Sequence, residues 1–532
     1  MKQAKTRNPV GWGYIEDAPD PTERKAALDM LAVFLDGKVP EPVDAPVAKA
    51  IKLTPGRVEI PVALANWLSD KHNDRLLHAL GRSFHDLARL RELTPLPAPD
   101  IVATPDSETA LGRILEWADR ERLAVIPFGG GSSVVGGVTA EKFDAFNGCV
   151  SVDLQDMRGL VELDERSRVA EFRGGTLGPD VDAALKPQDL SLRYFPQSYF
   201  HSTVGGWVAT RGAGHFSTLH AKIEDQVQAL RVMLPDGRIS ETRPLPASSV
   251  GIDPNRLWCG SEGFLGIITS ARLRIHPRPR YRETQGIVFA DFDQALEAAR
   301  EILQSGLWPA QLRMLDPLEH LQSRLMQGRS AEGALMILGF ESGHLPVDNA
   351  MQAALAITRE HGGIPEVNDG NQGDSVSDWR QAFFRQPYLR DLLMDYGMIL
   401  DTFETAVPWS RLPGFYHSVR DATQAAIDRI CGHGIVMGRT THAYPDGISL
   451  YFSFFALSRP GALTEQWYAI KAAASDAVMN GGGTISHHHA MGRDHKPWAR
   501  QEIPLPFRDA IRAAKSSLDP NGIMNPGLWF DD

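Results

Sequence analysis

The sequence predicts an α+β fold divided into more than one structural unit, and three observations carry that prediction. The chain has 532 residues, more than one hydrophobic core ordinarily supports. Short apolar strands alternate with amphipathic helices from Asp100 onward, and again beyond Pro279. Three glycine-rich segments, at 127–137, 202–214 and 260–269, punctuate the first of these stretches.

Residues 1–93 read as a helical N-terminal extension. Pro40-Glu41-Pro42 and Pro46 punctuate its loops, and Leu76, Leu77, Leu80, Phe84, Leu87 and Leu90 fall at helical spacing between Asp74 and Arg91. Thr94-Pro95-Leu96-Pro97-Ala98-Pro99 then excludes a helix or central strand, so a new unit starts there. In it Ile101-Val102-Ala103 and Leu123 to Pro127 read as strands flanking a helix from Ser107 to Arg120. Further strands are expected at Val150 to Leu154, Leu160 to Leu163, Arg168 to Phe172 and Val227 to Leu234, the last entering a turn at Pro235-Asp236-Gly237-Arg238. The unit is expected to span 94–279. Beyond it, Ile287-Val288-Phe289, a helix from Asp293 to Gln304, Leu335 to Phe340 and a helix from Val347 to His361 predict a second α/β domain over 280–500.

Composition narrows the function classes. Apolar residues make up 43% and charged residues 23%, and no run is long and apolar enough for a membrane span. The basic stretch Met1 to Pro9 has no apolar segment behind it, and the end, Trp529-Phe530-Asp531-Asp532, is not a peroxisomal tripeptide. A cytoplasmic protein, peripheral to a membrane at most, is expected. A net charge of -11 argues against nucleic acid as the main partner. Cys149, Cys259 and Cys431 form neither a disulfide framework nor a zinc pattern and fit a reducing compartment.

Two kinds of motif carry chemistry. His487-His488-His489, between Gly481-Gly482-Gly483 and Arg493-Asp494-His495, offers donors, acceptors and titratable charge near neutral pH. On a strand, neighbouring side chains point to opposite faces, so at most His487 and His489 would share a metal ion. A passive histidine cluster is the bland alternative. The run Pro127-Phe128-Gly129-Gly130-Gly131-Ser132-Ser133-Val134-Val135-Gly136-Gly137 can turn successive N–H groups and two hydroxyls toward a diphosphate. It is neither GxGxxG nor GK[ST]. The segments Ser202 to Gly214 and Gly260 to Thr269 repeat the theme, letting backbone press against an extended cofactor at several points.

Together these segments resemble the flavin-binding segments of the vanillyl-alcohol-oxidase (PCMH-type) FAD-binding fold, and Leu518 to Gly527 is similar to that family's C-terminal segment. The resemblance narrows to the alkyldihydroxyacetonephosphate synthase family. Gly11-Trp12-Gly13-Tyr14, Arg82 to Asp86, Tyr388-Leu389-Arg390-Asp391, Phe403 to Trp409, Leu450-Tyr451-Phe452 and the Ser-His-His-His run carry it, in order, over nearly the whole chain. It implies a PCMH-type FAD-binding domain, an α/β cap domain and a final segment, 501–532, that returns to the FAD domain. The activity it implies exchanges the acyl group of an acyl-dihydroxyacetone phosphate for a long-chain alcohol through a flavin N5 adduct, with no net redox change. A homodimer with peripheral membrane contact is implied in the same way. A flavin oxidase or dehydrogenase of a hydroxylated substrate on the same fold is the rival reading, and a zinc-binding interaction protein a third.

The resemblance also assigns residues. Tyr451 would transfer the proton, its pKa lowered by cationic histidines and an arginine; packing as a core tyrosine is the alternative. Arg390 would grip a phosphate or the leaving carboxylate, since the positions three and four away (Gln386, Pro387, Leu393, Met394) offer no acidic partner in its helix. Arg313 would contact substrate or pair with Asp316. His487, His488 and His489 would line the catalytic site, with His488 and His489 on the headgroup, and no metal is expected. Ala490-Met491 stands where the resemblance implies Gly-Val, which would narrow the space beside that headgroup. FAD contacts are implied at Pro127, Gly129, Gly130, Gly131, Ser132, Ser133 and Val134, and at Gln197, Ser198, Thr203, Gly206, Thr210, Arg211, Gly212 and Ala213. Glu262, Gly263, Gly266 and Ile268 complete the set, while Glu262 and Asp225 could equally cap turns. No histidine or cysteine lies in the first glycine loop, so FAD is expected to be noncovalent.

Overall fold

The computed structural model describes residues 5–43, 45–141, 143–366 and 375–530. Residues 1–4 and 531–532, parts of the termini considered above for address signals, lie outside them.

The N-terminal extension contributes three helices. Pro21–Phe34 starts on an Asp20–Glu23 capping box with Pro21 as its first residue. The apolar spacing from Asp74 to Arg91 forms two helices, His72–Leu77 and Phe84–Glu92. The break has a local cause. Gly81 packs against the glycine loop, where an added Cβ would lie 2.8 Å from the Ser133 carbonyl oxygen, and the Arg82 N–H donates to that oxygen at 2.6 Å. Ser83 and Asp86 then cap the second helix reciprocally.

Two sheets follow. The first is β1 (Leu68–Ser69), β2 (Ile101–Ala103), β3 (Leu123–Phe128) and β4 (Gly148–Asp153), in spatial order β1-β2-β4-β3, with β2 and β3 parallel to β4. The helix Glu108–Arg120 lies between β2 and β3 in sequence, capped by Ser107. The second comprises β5 (Leu160–Asp164), β6 (Val169–Arg173), β8 (Val227–Met233), β9 (Ile239–Glu241) and β10 (Ile267–Arg274), ordered β5-β6-β10-β8-β9 and antiparallel throughout. A small ladder pairs β7 (Leu190–Ser191) with β11 (His276–Pro277). The C-terminal tail runs back to the first sheet: Met524 bridges Val125, and Ile523 and Met524 join its apolar core.

The remaining strands form one seven-stranded sheet. These are β12 (Tyr281–Phe289), β13 (Gln311–Leu315), β14 (Ala334–Ser342), β15 (Ile364–Pro365), β16 (Met398–Pro408), β17 (Gly434–Tyr444) and β18 (Gly447–Leu457). Their order is β15-β12-β14-β13-β17-β18-β16. Helices Phe292–Gln304, Leu412–Ile430 and Leu463–Asn480 bury their apolar stripes in the largest core, shared with this sheet. The hairpin β17–β18 and its partner β16 carry the polar residues that matter below.

Candidate active site

A cavity with an empty volume of about 1130 Å³ separates the glycine segments from the seven-stranded sheet. Gly129 to Val134, Thr203, Gly206, Thr210, Gly212 and Ala213 line one side; Arg313, Arg439, His442, Tyr451, His488 and His489 line the other. Gln197 and Ser198 also reach it. A second cavity, of about 630 Å³, continues past the same loop along Pro127, Glu262, Gly263, Gly266 and Ile268. Two of the loop's positions admit glycine only. At Gly130 a Cβ would fall 1.5 Å from the His201 carbonyl oxygen, and Gly131 has φ +68°. The fit to an extended cofactor lies in this backbone cradle and in three buried nitrogens on the cavity residues, Nε of Arg313 and Arg439 and Nδ1 of His442, that have no partner among the described residues.

One residue expected at the cofactor stands elsewhere. Arg211 ends the helix Val204–Thr210 in a left-handed conformation, φ 50°, and its half-exposed side chain pairs with Glu224 at 3.1 Å, lining neither cavity. Asp225 pairs with Arg256 at the surface. Glu262 accepts from the N–H groups of Met491 (3.1 Å) and Gly492 (3.0 Å), so it fastens the chain just after the histidine triplet. Burial pushes its carboxyl up to about 7, against those two bonds.

Strand register assembles the centre of the site. Tyr451 on β18 sits directly opposite Glu404 on β16 and Arg439 on β17, and opposed residues share a face. The Arg439 guanidinium carbon lies 4.0 Å from the centre of the Tyr451 ring, and Arg439 makes a buried ion pair with Glu319. The Tyr451 hydroxyl donates to Thr402 Oγ1 at 2.9 Å. Burial raises the phenol above its ordinary value; Arg439 and the Thr402 bond pull it down without cancelling that effect. The expectation of a net lowering therefore fails, because the ring is buried.

The histidine triplet is not on a strand, and the strand-based limit on its geometry fails with it. The chain turns around the buried Glu404 carboxylate, which accepts from the N–H groups of His487 (2.6 Å), His488 (3.0 Å) and His489 (2.9 Å) and from the Ser486 hydroxyl (2.7 Å). Adjacent rings thereby converge: His487 Nδ1 and His488 Nδ1 are 3.1 Å apart. His442, His487 and His488 place one ring nitrogen each within 4.8 Å of one another, a group able to surround an ion. Lys222 and Arg313, both cations, oppose an ion there through the field they place on His488. Tyr444 completes the shell with its hydroxyl 2.7 Å from His487 Nε2.

These imidazoles are neutral, not cationic. Burial drives His487 and His488 well below the ordinary imidazole value, His489 to about 4 and His442 to about 3. Burial alone would raise Glu404, but the charge that His489 and His487 take on once protonated in acid, together with the bonds the carboxylate accepts, holds it at about 2.

The arginines also differ from expectation. Arg390 does have an intrahelical acidic partner: Asp391, the next residue, accepts from its Nε (3.1 Å) and Nη2 (2.9 Å), while Nη1 donates to the Arg82 carbonyl at 2.6 Å. The long side chain folds back along its helix, Ser375–Met394, so a neighbour at i+1 suffices. Arg313 does not pair with Asp316, whose carboxylate accepts from Tyr416, Gly438 and Glu319. Instead its guanidinium stacks on Trp379 (4.9 Å) and Phe383 (5.4 Å) and approaches His215 Nδ1 at 3.3 Å. Burial lowers it to about 9.

A third cavity, of about 840 Å³, is largely apolar, with Met30, Leu389, Leu393, Leu400 and Phe455 in its wall. It meets the glycine-lined cavity at Trp12, Val134, Gln197, Tyr451 and His489, which line both. Ala490 and Met491 line neither; Ala490 adopts φ +74°, and Met491 packs toward Ile485 and Trp498. The expected narrowing beside a headgroup therefore does not occur. Glu404, Arg439, Thr402 and His442 belong to the site but were not singled out from sequence. Their signal was weak: β16 and β17 mix polar and apolar residues, and nothing in that pattern marks which polar side chains meet.

Comparison with known proteins agrees with this geometry. The family described as "FAD binding domain" matches residues 99–243, and "FAD linked oxidases, C-terminal domain" matches 278–528. Alkyldihydroxyacetonephosphate synthase of Dictyostelium discoideum is 30% identical over 491 residues, 87% of this chain and 78% of that protein. A solved structure of an alkyldihydroxyacetonephosphate synthase superposes with a TM-score of 0.81 at 25% identity, covering 98% of both chains. The p-cresol methylhydroxylase structure shares the PCMH-type fold alone, with a TM-score of 0.66 and 13% identity over 97% of this chain and 98% of the other. The glycine cradle, the conjoined cavities and these likenesses agree, and the chain belongs to the alkyldihydroxyacetonephosphate synthase family of FAD-dependent enzymes.

Proposed function

We propose that this enzyme exchanges the acyl group of an acyl-dihydroxyacetone phosphate for a long-chain alcohol. The observation that carries the reading is the junction at Tyr451 and His489, where a glycine-lined cavity suited to FAD meets an apolar cavity suited to an alkyl chain. When bound, FAD would supply an electrophilic ring nitrogen, N5, to the reacting carbon, for an exchange with no net redox change. Gly129 to Val134, Thr203, Gly206 and Thr210 would hold its diphosphate and ribityl portions by backbone and hydroxyl donors.

The chain's own residues divide the remaining work. Tyr451, in its ionised form, takes a proton from C1 of the ketone and returns it, and the Thr402 hydroxyl, which accepts from the neutral phenol, turns to donate to the phenolate oxygen. Arg313, whose Nε has no partner among the described residues, binds the headgroup phosphate, with neutral His488 and His489 donating further bonds. Arg390, already engaged with Asp391, orients the helix that walls the apolar cavity. Met30, Leu393 and Phe455 exclude water from the chain and the reacting carbon. Dimerisation and contact with a membrane surface enter this reading with the family; no helix of the described residues is long and apolar enough to cross a membrane.

The test is direct. The FAD-loaded enzyme is incubated with palmitoyl-dihydroxyacetone phosphate and hexadecanol, and the alkyl product and released palmitate are sought by mass spectrometry. Absence of product at every chain length would overturn the proposal. Bleaching of the flavin by an alcohol or 2-hydroxy acid, with turnover through an electron acceptor, would replace it with an oxidoreductase.

A further inference from the structure

We infer that Arg439 is the positioning residue that sets the ionisation of Tyr451, by holding a guanidinium charge face-on against its ring. The inference rests on the reading of Tyr451 as the proton-transfer residue, and four observations lead to it. First, β17–β18 register puts the two residues directly opposite each other. Second, the guanidinium carbon is 4.0 Å from the ring centre, well inside cation–π range. Third, Arg439 is 2% exposed, so its charge acts on the ring with little solvent screening. Fourth, its Nε has no partner among the described residues, although its other nitrogens reach Glu319, Ser453 and Gln386.

The need for such a cation follows from what else surrounds the phenol. Glu404 of β16 is its opposite neighbour, and Asp401 lies on the same strand; both carboxylates disfavour a phenolate. Lys471 of the helix Leu463–Asn480 bonds to Asp401 at 3.3 Å and to the Thr402 carbonyl at 2.5 Å, so its charge is largely answered there. His488 and His489, on the loop after that helix, approach the ring but are neutral. Arg390 of Ser375–Met394 is matched by Asp391, and Arg313 of β13 stacks on Trp379 and Phe383. Arg439 is thus the cation placed on the ring itself. A buried Arg–Glu pair adds little to stability over an apolar pair, whereas a charge on the base has a use. Glu319 moderates that charge from the far side, on the helix Pro317–Leu325.

The pair gives a two-way test. 3,5-Difluorotyrosine is placed at position 451 of the FAD-loaded enzyme and titrated by fluorine NMR, a readout independent of turnover. Glu319→Gln leaves Arg439 unbalanced and should move the titration midpoint to lower pH. The double change Arg439→Gln with Glu319→Gln keeps a neutral hydrogen-bonded pair and should move it to higher pH, by about one unit or more. Arg439→Lys, which keeps the charge, should stay near the unchanged enzyme. A midpoint that does not move, or that moves the same way in both Gln variants, would overturn the inference, and Glu319→Gln alone suffices if the double variant does not fold. Tyr451→Phe separates the two claims. If it retains exchange while the midpoints split as expected, the proton-transfer reading falls and the tuning by Arg439 stands; if exchange is lost and the midpoints coincide, the reverse holds.

Discussion

Replacing Glu404 by Gln probes the device that shapes the histidine loop. The carboxylate accepts four hydrogen bonds, three from successive main-chain N–H groups and one from Ser486. The amide is nearly isosteric, but one of its positions is a donor. Either the His487 N–H, which Oε2 accepts, or the three donors on Oε1 must face it. The least costly choice sacrifices His487, leaving a buried N–H unsatisfied, at about 1–3 kcal/mol, and weakening the rest by loss of charge. The pKa sets an upper bound of similar scale: the carboxyl is lowered from 4.5 to about 2, about 3 kcal/mol at about 1.4 kcal/mol per unit, of which charge on His489 and His487 in acid supplies part and the loop's hydrogen bonds the rest. For a lowered carboxyl this stabilisation is present above its unfolded value and is lost as pH falls from 4.5 toward about 2. At neutral pH, Glu404→Gln should thus lower hydrogen-exchange protection over 484–492 by roughly a hundredfold, with FAD content and the protection of β12–β14 unchanged. Unchanged loop protection, or a loss spread evenly over the seven-stranded sheet, would refute the argument that Glu404 organises the triplet.

Three further outcomes follow from the site. Gly130→Ala should yield protein that folds but purifies without FAD, read by its visible spectrum, since the new methyl group meets the His201 carbonyl oxygen; normal flavin content would count against the cradle. Arg313→Gln should raise KM for the phosphorylated substrate by about tenfold to a hundredfold, the worth of a charged hydrogen bond, with a smaller effect on kcat in steady-state assays; an unchanged KM would move the phosphate elsewhere. Glu262 is raised from 4.5 to about 7 by burial, so the folded state holds a proton that the unfolded state has lost in that window, and stability falls as pH rises through it. Glu262→Gln should remove that fall, seen as urea midpoints that no longer drop between about pH 5 and about pH 8; a variant that keeps the wild-type drop would show that another group causes it.

What the sequence disclosed, and what it concealed, divides along the range of the interactions. Elements set by local periodicity were legible. The strand at Ile101–Ala103 and the helix Phe292–Gln304 stand within a residue of expectation, because apolar spacing and N-caps are read within a few positions. The glycine segments were legible for the same reason: a backbone that must approach a ligand excludes Cβ at that position whatever the surroundings. The helix expected across Asp74–Arg91 failed because its break answers to Ser133, some fifty positions away. The triplet's geometry failed because Glu404, eighty-odd positions earlier, bends the loop around its carboxylate. Arg439, Tyr451 and Glu404 stand on three separate strands, two of them of mixed polarity, and only the antiparallel register aligns them.

Charge is where the difference matters most. Sequence alone puts the positive character of the site on three histidines, the residues that titrate near neutral pH. Burial removes it from them and leaves it on arginines, whose charge survives desolvation. Of the three buried guanidiniums near Tyr451, Arg390 is matched by Asp391 and Arg439 by Glu319, while Arg313 has no carboxylate in ion-pair contact among the described residues. An uncompensated buried cation is costly unless an anion meets it. On the proposed reading, a headgroup phosphate would answer that charge in the cavity Arg313 shares with the glycine loop, whereas a simple alcohol would not.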